Sequence, residues 1–175
     1  MRADYFVYIG NAYPHKNLSR LIDAIILVNT KLIIVSGRSI FIERLQKEIN
    51  RKNASKLVEV LGFVTDKDLK NLYKNSIAFV FPTLSEGFGL PPKEAIEAGT
   101  LAVISDIPVL KEVYEDSVLY FDPLDVNSIA DALLKVVNIK EDERKIKILK
   151  SQQFVKKYSW SKMAKETLKI YESTK

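Results

Sequence analysis

The sequence predicts a doubly wound α/β fold, a parallel sheet of six strands with helices on both faces. Two observations lead there. Apolar segments of strand length alternate with longer segments of helical period. The run Ile77 to Phe81 is apolar without alternation, as strands buried on both faces are. With 175 residues, 47% hydrophobic and 28% charged, the chain can bury a core and does not have a disordered composition. We expect residues 1–175 to form one domain, with a sheet core over about 1–139 and extra C-terminal helices over 140–175.

The elements follow in order. Tyr5 to Ile9 reads as the first strand. After the turn at Pro14, Leu18, Leu21, Ile22, Ile25 and Val28 share one helical face, with Asn17 as the expected cap. Leu32 to Val35 is the second strand, ending at Ser36-Gly37, and Ile42 to Asn50 carries a helical pattern. Leu57 to Leu61 is the third strand, stopped by Gly62. Asp66 to Asn75 is a short helix with Asp66 as its expected cap, and Ile77 to Phe81 is the fourth strand. A helix from Pro91 to Ala98 closes on Gly99. Leu101 to Ile104 and Val118 to Phe121 are the last two strands. From Asp125 the chain is helical, with breaks near Lys140 and before Ser159, where Ser159 or Ser161 caps the final helix.

Several chemistries are excluded at once. There is no cysteine and a single histidine, His15, which removes disulfides, thiol nucleophiles and ordinary zinc sites. No apolar run reaches the length of a membrane span and no signal-peptide pattern opens the chain, so a cytoplasmic location is expected. The net charge of +5 arises mainly from lysines after residue 135, including Lys145, Lys147, Lys150, Lys156, Lys157, Lys162, Lys165 and Lys169. These read as solvated helix faces. Such a face suits peripheral contact with an anionic membrane, whereas the aromatic-basic interleaving of RNA platforms is missing and no nucleic-acid partner is expected.

In sheets of this kind ligands bind outside the carboxyl ends of the strands, which directs attention to the loops Gly10 to Asn17, Ser36 to Ser39, Gly62 to Asp66, Pro82 to Leu90 and Ser105 to Pro108. The stretch Thr83-Leu84-Ser85-Glu86-Gly87-Phe88-Gly89-Leu90-Pro91-Pro92-Lys93-Glu94-Ala95 follows a buried strand and opens a helix. Gly87 and Gly89 are expected to take conformations closed to other residues and to let the backbone approach a ligand. A proline in the first helical turn then leaves the amides of Gly87 to Leu90 at the positive end of the helix, a seat for phosphate. Glu86 and Glu94 flank that seat and suit the hydroxyls of a sugar and a ribose. A plain strand-to-helix turn, with glycines serving geometry alone, is the competing reading.

This run resembles the motif of two glutamates separated by seven residues in the group 1 glycosyltransferases, retaining enzymes of the GT-B fold, and the resemblance is to their C-terminal, donor-binding half. It implies that the fold is Rossmann-like, one half of a GT-B enzyme. It also implies that Glu86 contacts the donor sugar, the loop Gly87, Phe88, Gly89 and Leu90 contacts sugar and phosphate through amides, and Glu94 binds the ribose. A second match lies at Tyr8-Ile9-Gly10-Asn11-Ala12-Tyr13-Pro14-His15-Lys16-Asn17, similar to the family's glycine-rich first loop ending in Lys-Asn. By that likeness Lys16 neutralises the diphosphate leaving group and Gly10 and Asn11 line the donor, so Lys16 and Glu86 are the catalytic candidates.

Weaker echoes run through Leu61-Gly62-Phe63-Val64, Ser105-Asp106-Ile107-Pro108, Glu112-Val113, Phe121-Asp122-Pro123 and Tyr158-Ser159-Trp160. From them Val64 and Thr65 become base-contact candidates, and Trp160 is expected to be a packing residue. The chain departs from the family at Asn11, where many members carry an arginine. Arg38, after Gly37, is the candidate that helps from the neighbouring loop. The resemblance implies a nucleoside-diphosphate sugar as donor, a hydroxyl acceptor, no metal cofactor and an N-terminal acceptor-binding domain in the same parent chain or a partner chain. A Rossmann-like module that binds nucleotide or scaffolds a complex without catalysis is the alternative.

Overall fold

The computed structural model describes residues 4–37 and 39–173. Strands β1 (Tyr5–Ile9), β2 (Lys31–Val35), β3 (Val58–Leu61), β4 (Phe79–Phe81), β5 (Ala102–Ser105) and β6 (Leu119–Phe121) form one parallel sheet in the order β3-β2-β1-β4-β5-β6. The helices are α1 (Leu18–Val28), α2 (Ile40–Arg51), α3 (Asp66–Asn75), α4 (Leu90–Glu97), α5 (Pro108–Tyr114), α6 (Val126–Val137), α7 (Glu141–Val155) and α8 (Trp160–Ser173).

Strand order runs outward from β1 in one direction and from β4 in the other. With right-handed crossovers, this reversal sends the two sets of helices to opposite faces. Accordingly α1 packs on α2 and α6, while α4 packs on α3 and α7. The strands between them are covered on both sides, and Phe6, Val7, Tyr8, Phe79 and Val80 are all fully buried, which explains their unbroken apolar runs. The β1–β4 seam centres on Val7 opposite Phe79 and is lengthened by Ile77 N–H donating to Tyr5 O (2.7 Å) and Val7 N–H to Ala78 O (3.0 Å).

Several local expectations change. Thr65, not Asp66, caps α3: it is extended and its hydroxyl accepts from the Asp68 amide at 3.2 Å. Asn17 does not cap α1 through its side chain, because its backbone is left-handed (φ 58°, ψ 31°) whereas side-chain caps need an extended residue. Its buried amide instead donates to Pro82 O (3.0 Å) and Pro123 O (2.7 Å), tying together the loops after β1, β4 and β6. Helix α5 is absent from the expected elements, although Pro108 at its first position and inward Leu110, Val113 and Tyr114 are the signals that could have revealed it. Ser159 is the cap of α8, accepting from Lys162 N–H at 3.1 Å.

Asn17→Ala removes both donors from buried carbonyls, and we expect it to cost about 2–4 kcal/mol in urea unfolding. Glu115, at the end of α5, has φ 44° and ψ −127°, a conformation that suits glycine. Its ion pair with Lys157 (2.7 Å) is exposed and contributes little. Glu115→Gly should therefore raise stability by about 1 kcal/mol, seen as a higher urea midpoint at unchanged slope.

Candidate functional site

The loops after β1 and β4 meet at the strand-order reversal, the place where such sheets open a crevice. A one-turn 3-10 helix, Pro14–Lys16, brings the His15 carbonyl to the Leu84 amide (2.7 Å) and the Thr83 hydroxyl (3.3 Å), both of which donate to it. It is thus the backbone of His15 that joins the loops, and its imidazole stays exposed. One residue on, the Lys16 ammonium donates to the Glu86 carboxylate, and the two side chains are only 12% and 14% exposed.

An aromatic floor supports this pair. The Lys16 ammonium stands 5.4 Å from the centre of the Phe81 ring, which stacks on Tyr8 at 6.5 Å. Burial, with the nearby Glu86 carboxylate second, pushes the Tyr8 phenol far above its usual range, so it stays protonated and donates to Asn11 O at 2.7 Å. Gly10 takes φ 148°, and a Cβ there would come within 3.0 Å of the Tyr8 hydroxyl. The first loop is therefore fixed from below while the Asn11 side chain faces solvent, its Oδ1 accepting from Tyr13 N–H at 3.4 Å.

On the other side of the pair the glycine loop enters α4. Gly89 requires its lack of a side chain, since φ is 81° and a Cβ would lie 2.6 Å from the Leu110 Cδ2 methyl. Its carbonyl accepts from the buried Tyr114 phenol, so α5 supplies both the wall and the clamp of this turn. Gly87 differs from expectation: its φ lies outside the left-handed region and a Cβ there would meet nothing within 4 Å. Among the described residues the amides of Gly87, Phe88, Gly89 and Leu90 have no protein acceptor, as befits the first turn of a helix.

Phe88 packs edge-on against Tyr158 with ring centres 5.1 Å apart. Together with Leu90, Tyr158, Trp160 and Met163 it lines an open groove of about 700 Å³ between the loop and α8. Trp160 is 67% exposed there, not packed as the sequence suggested. Its position at the start of α8, a helix with no buried residue, is the reason.

The remaining candidates are not joined to this cluster by direct contact. Glu94 lies one turn into α4, exposed. Thr65 has committed its hydroxyl to Asp68 and its carbonyl to Leu69 N–H (2.8 Å), leaving Val64, half-buried, as the residue of the two with an uncommitted carbonyl. Phe63 beside it, which the sequence did not single out, is 93% exposed. Gly37 is exposed with open space around it, and Arg38 lies outside the described residues. Among the described residues no group of three or more histidine, aspartate or glutamate side chains could hold a metal ion, and no helix is long and apolar enough to cross a membrane.

The profile of the group 1 glycosyl transferases matches residues 2–153. The O-antigen chain mannosyltransferase RfbU of Salmonella typhimurium is 32% identical over 93% of this chain and 45% of its own length. O-antigen chain mannosyltransferase B of Escherichia coli is 33% identical over 96% of this chain and 45% of its own. Among solved structures, sucrose-phosphate synthase from Thermosynechococcus elongatus superposes with a TM-score of 0.87 at 22% identity, covering 98% of this chain and 45% of that one. The chain thus spans about half the length of the curated relatives it matches, its fold is the Rossmann-like half of a GT-B enzyme, and it belongs to the group 1 glycosyl transferases.

Proposed function

We propose that this chain is the donor-binding half of a retaining glycosyltransferase that moves a hexose from a nucleoside diphosphate to a hydroxyl of a growing glycan, polysaccharide or glycolipid. The observation that carries the reading is the Lys16–Glu86 pair standing beside the uncommitted amides of Gly87 to Leu90. In this structure the two charges neutralise each other. A donor exchanges that contact for two better ones: its diphosphate takes the ammonium and the amides, and its sugar hydroxyls take the carboxylate.

Lys16 then opposes the negative charge that grows on the β-phosphate as the glycosidic bond breaks, and helix amides share that load, so the scheme uses no metal. Glu94 receives the ribose hydroxyls and the Val64 backbone the base, with the exposed ring of Phe63 beside it. The similarity to two O-antigen chain mannosyltransferases favours a polysaccharide product, made at the cytoplasmic side of a membrane, where the basic C-terminal helices suit peripheral contact.

The acceptor half belongs to a second domain, in the parent chain or in a partner. Helix α8 is the surface we assign to it. Trp160, Met163, Leu168, Ile170 and Tyr171 are all more than half exposed on this helix, and the curated relatives carry about as much sequence again beyond the matched part. The isolated chain accordingly binds donor weakly and turns over little. One observation favours a non-catalytic module instead: Asn11 brings no cation to the place where many family members carry arginine.

Two glycines separate a ligand role from a folding role. Gly87→Ala should leave urea stability within about 0.5 kcal/mol yet weaken nucleoside-diphosphate binding about tenfold by pushing the phosphate off the amides. Gly89→Ala should instead cost about 2–3 kcal/mol through strain and collision with Leu110. Calorimetry divides the glutamates. Glu94→Ala is expected to weaken the nucleoside diphosphate and the full donor alike, about tenfold each, and Glu86→Ala to weaken only the full donor. Equal losses for both ligands in both variants would remove the assignment.

A further inference from the structure

Tyr5, Tyr8, Tyr114, Tyr120 and Tyr158 each donate their phenol to a main-chain carbonyl. Tyr73, on α3, does not. It is 2% exposed, and among the described residues its hydroxyl has no hydrogen-bond partner. A buried hydroxyl left unpaired is costly, and phenylalanine would fill the same space without that cost. Packing alone therefore does not account for the oxygen.

Its surroundings narrow what does. The ring packs edge-on against Phe79 of β4, ring centres 5.7 Å apart, and the Tyr73 carbonyl accepts from the Thr100 hydroxyl just beyond α4. Helix α3 packs on α4 at this place. Burial, then the Glu94 carboxylate, then Tyr114 push the phenol far above its usual range, so it keeps its proton and remains a donor. Of these two neighbours Tyr114 has already given its own proton to Gly89 O, and a carboxylate is the stronger acceptor.

We infer that Tyr73 is a positioning residue for Glu94, its hydroxyl donating to one oxygen of that carboxylate while the other oxygen holds the ribose. The inference rests on the donor reading proposed above. In this structure Glu94 is exposed, so its carboxylate is hydrated. A ribose laid on the side of α4 displaces that solvent. A carboxylate accepts several hydrogen bonds through its two oxygens, so the flexible glutamate turns one oxygen onto the buried hydroxyl and keeps the other for the 2′- and 3′-hydroxyls. Covering the carboxylate and pairing the tyrosine then happen in one step, and each offsets the desolvation of the other. Tyr73 touches no ligand. It selects the rotamer from which Glu94 reads the ribose, so its loss is felt at the ribose and not at the phosphates.

The test is an NMR titration of the isotope-labelled 175-residue chain with UDP, GDP and their 2′-deoxy counterparts, alongside urea unfolding of each variant. Tyr73→Phe should keep or raise the urea midpoint, because it removes an unpaired buried hydroxyl. It should weaken whichever ribonucleotide the wild type binds by about fivefold and the 2′-deoxy counterpart by less, reducing the preference for ribose at least about twofold. In a Glu94→Ala background the same substitution should change affinity by less than about twofold. Unchanged ribonucleotide affinity in Tyr73→Phe would overturn the inference, including the case where a buried water partners the hydroxyl. A loss of equal size with and without Glu94 would overturn it too, since a structural role acts on both backgrounds alike. If neither nucleotide binds the wild-type chain, the donor reading itself fails and takes this role of Tyr73 with it.

Discussion

Two loops that are far apart in sequence have to be held together at the one place where the sheet changes direction, and the rest of the site depends on that junction. The pairing of β1 with β4 does not by itself force the contact, because the chains that leave these neighbouring strands go to helices on opposite faces. The His15 carbonyl supplies the link by accepting from Leu84 and Thr83, and Lys16 and Glu86 add a largely buried charge pair over Phe81. A buried pair contributes little net stability, since desolvation offsets most of the attraction, yet loss of either partner strands the other charge. Its effect is to fix where each charge stands relative to the two loops.

That junction is braced by buried side chains. Asn17 reaches from the end of the same loop to the carbonyls of Pro82 and Pro123, so the loops after β1, β4 and β6 are pinned by one side chain. Helix α5 does the equivalent for the glycine loop, with Leu110 filling the space beside Gly89 and Tyr114 holding its carbonyl. Neither brace faces the crevice. Both turn loops, which are ordinarily mobile, into parts of the packed interior.

The sheet was legible in the sequence because unbroken apolar runs such as Phe79 to Phe81 are what burial on both faces requires. The glycine loop was legible because a glycine pair, prolines and spaced glutamates leave few other structures open. What stayed hidden was pairwise. Asn17 reads as a cap in any local window, and only the distant carbonyls of Pro82 and Pro123 explain its left-handed backbone. Gly87 and Gly89 look alike in sequence, but the difference between them is Leu110, twenty-one residues on from the second. Thr65 outcompeted Asp66 as cap because the chain enters α3 one residue earlier than the acidic pattern suggested. Trp160 is exposed, since no residue of α8 is buried, and an aromatic residue signals packing without saying against which surface.

Helix α8 carries the same lesson in energetic form. A helix of 14 residues is marginal by itself in water, because nucleation is costly and each further residue adds little. Most short helices are held by burying one face, yet no residue of α8 is buried. Its apolar residues fall on one side: stepping by 100° per residue, Trp160, Met163, Ile170 and Tyr171 gather on one arc and Lys162, Lys165 and Lys169 on the opposite one. Such a pattern is an exposed amphipathic face, and the groove between α8 and Phe88 adjoins it. Phe88 belongs both to that groove and to the loop beside Glu86, so the two share a single ring. A chain that spans about half the length of its curated relatives thus keeps an exposed apolar strip next to the loop that carries Glu86.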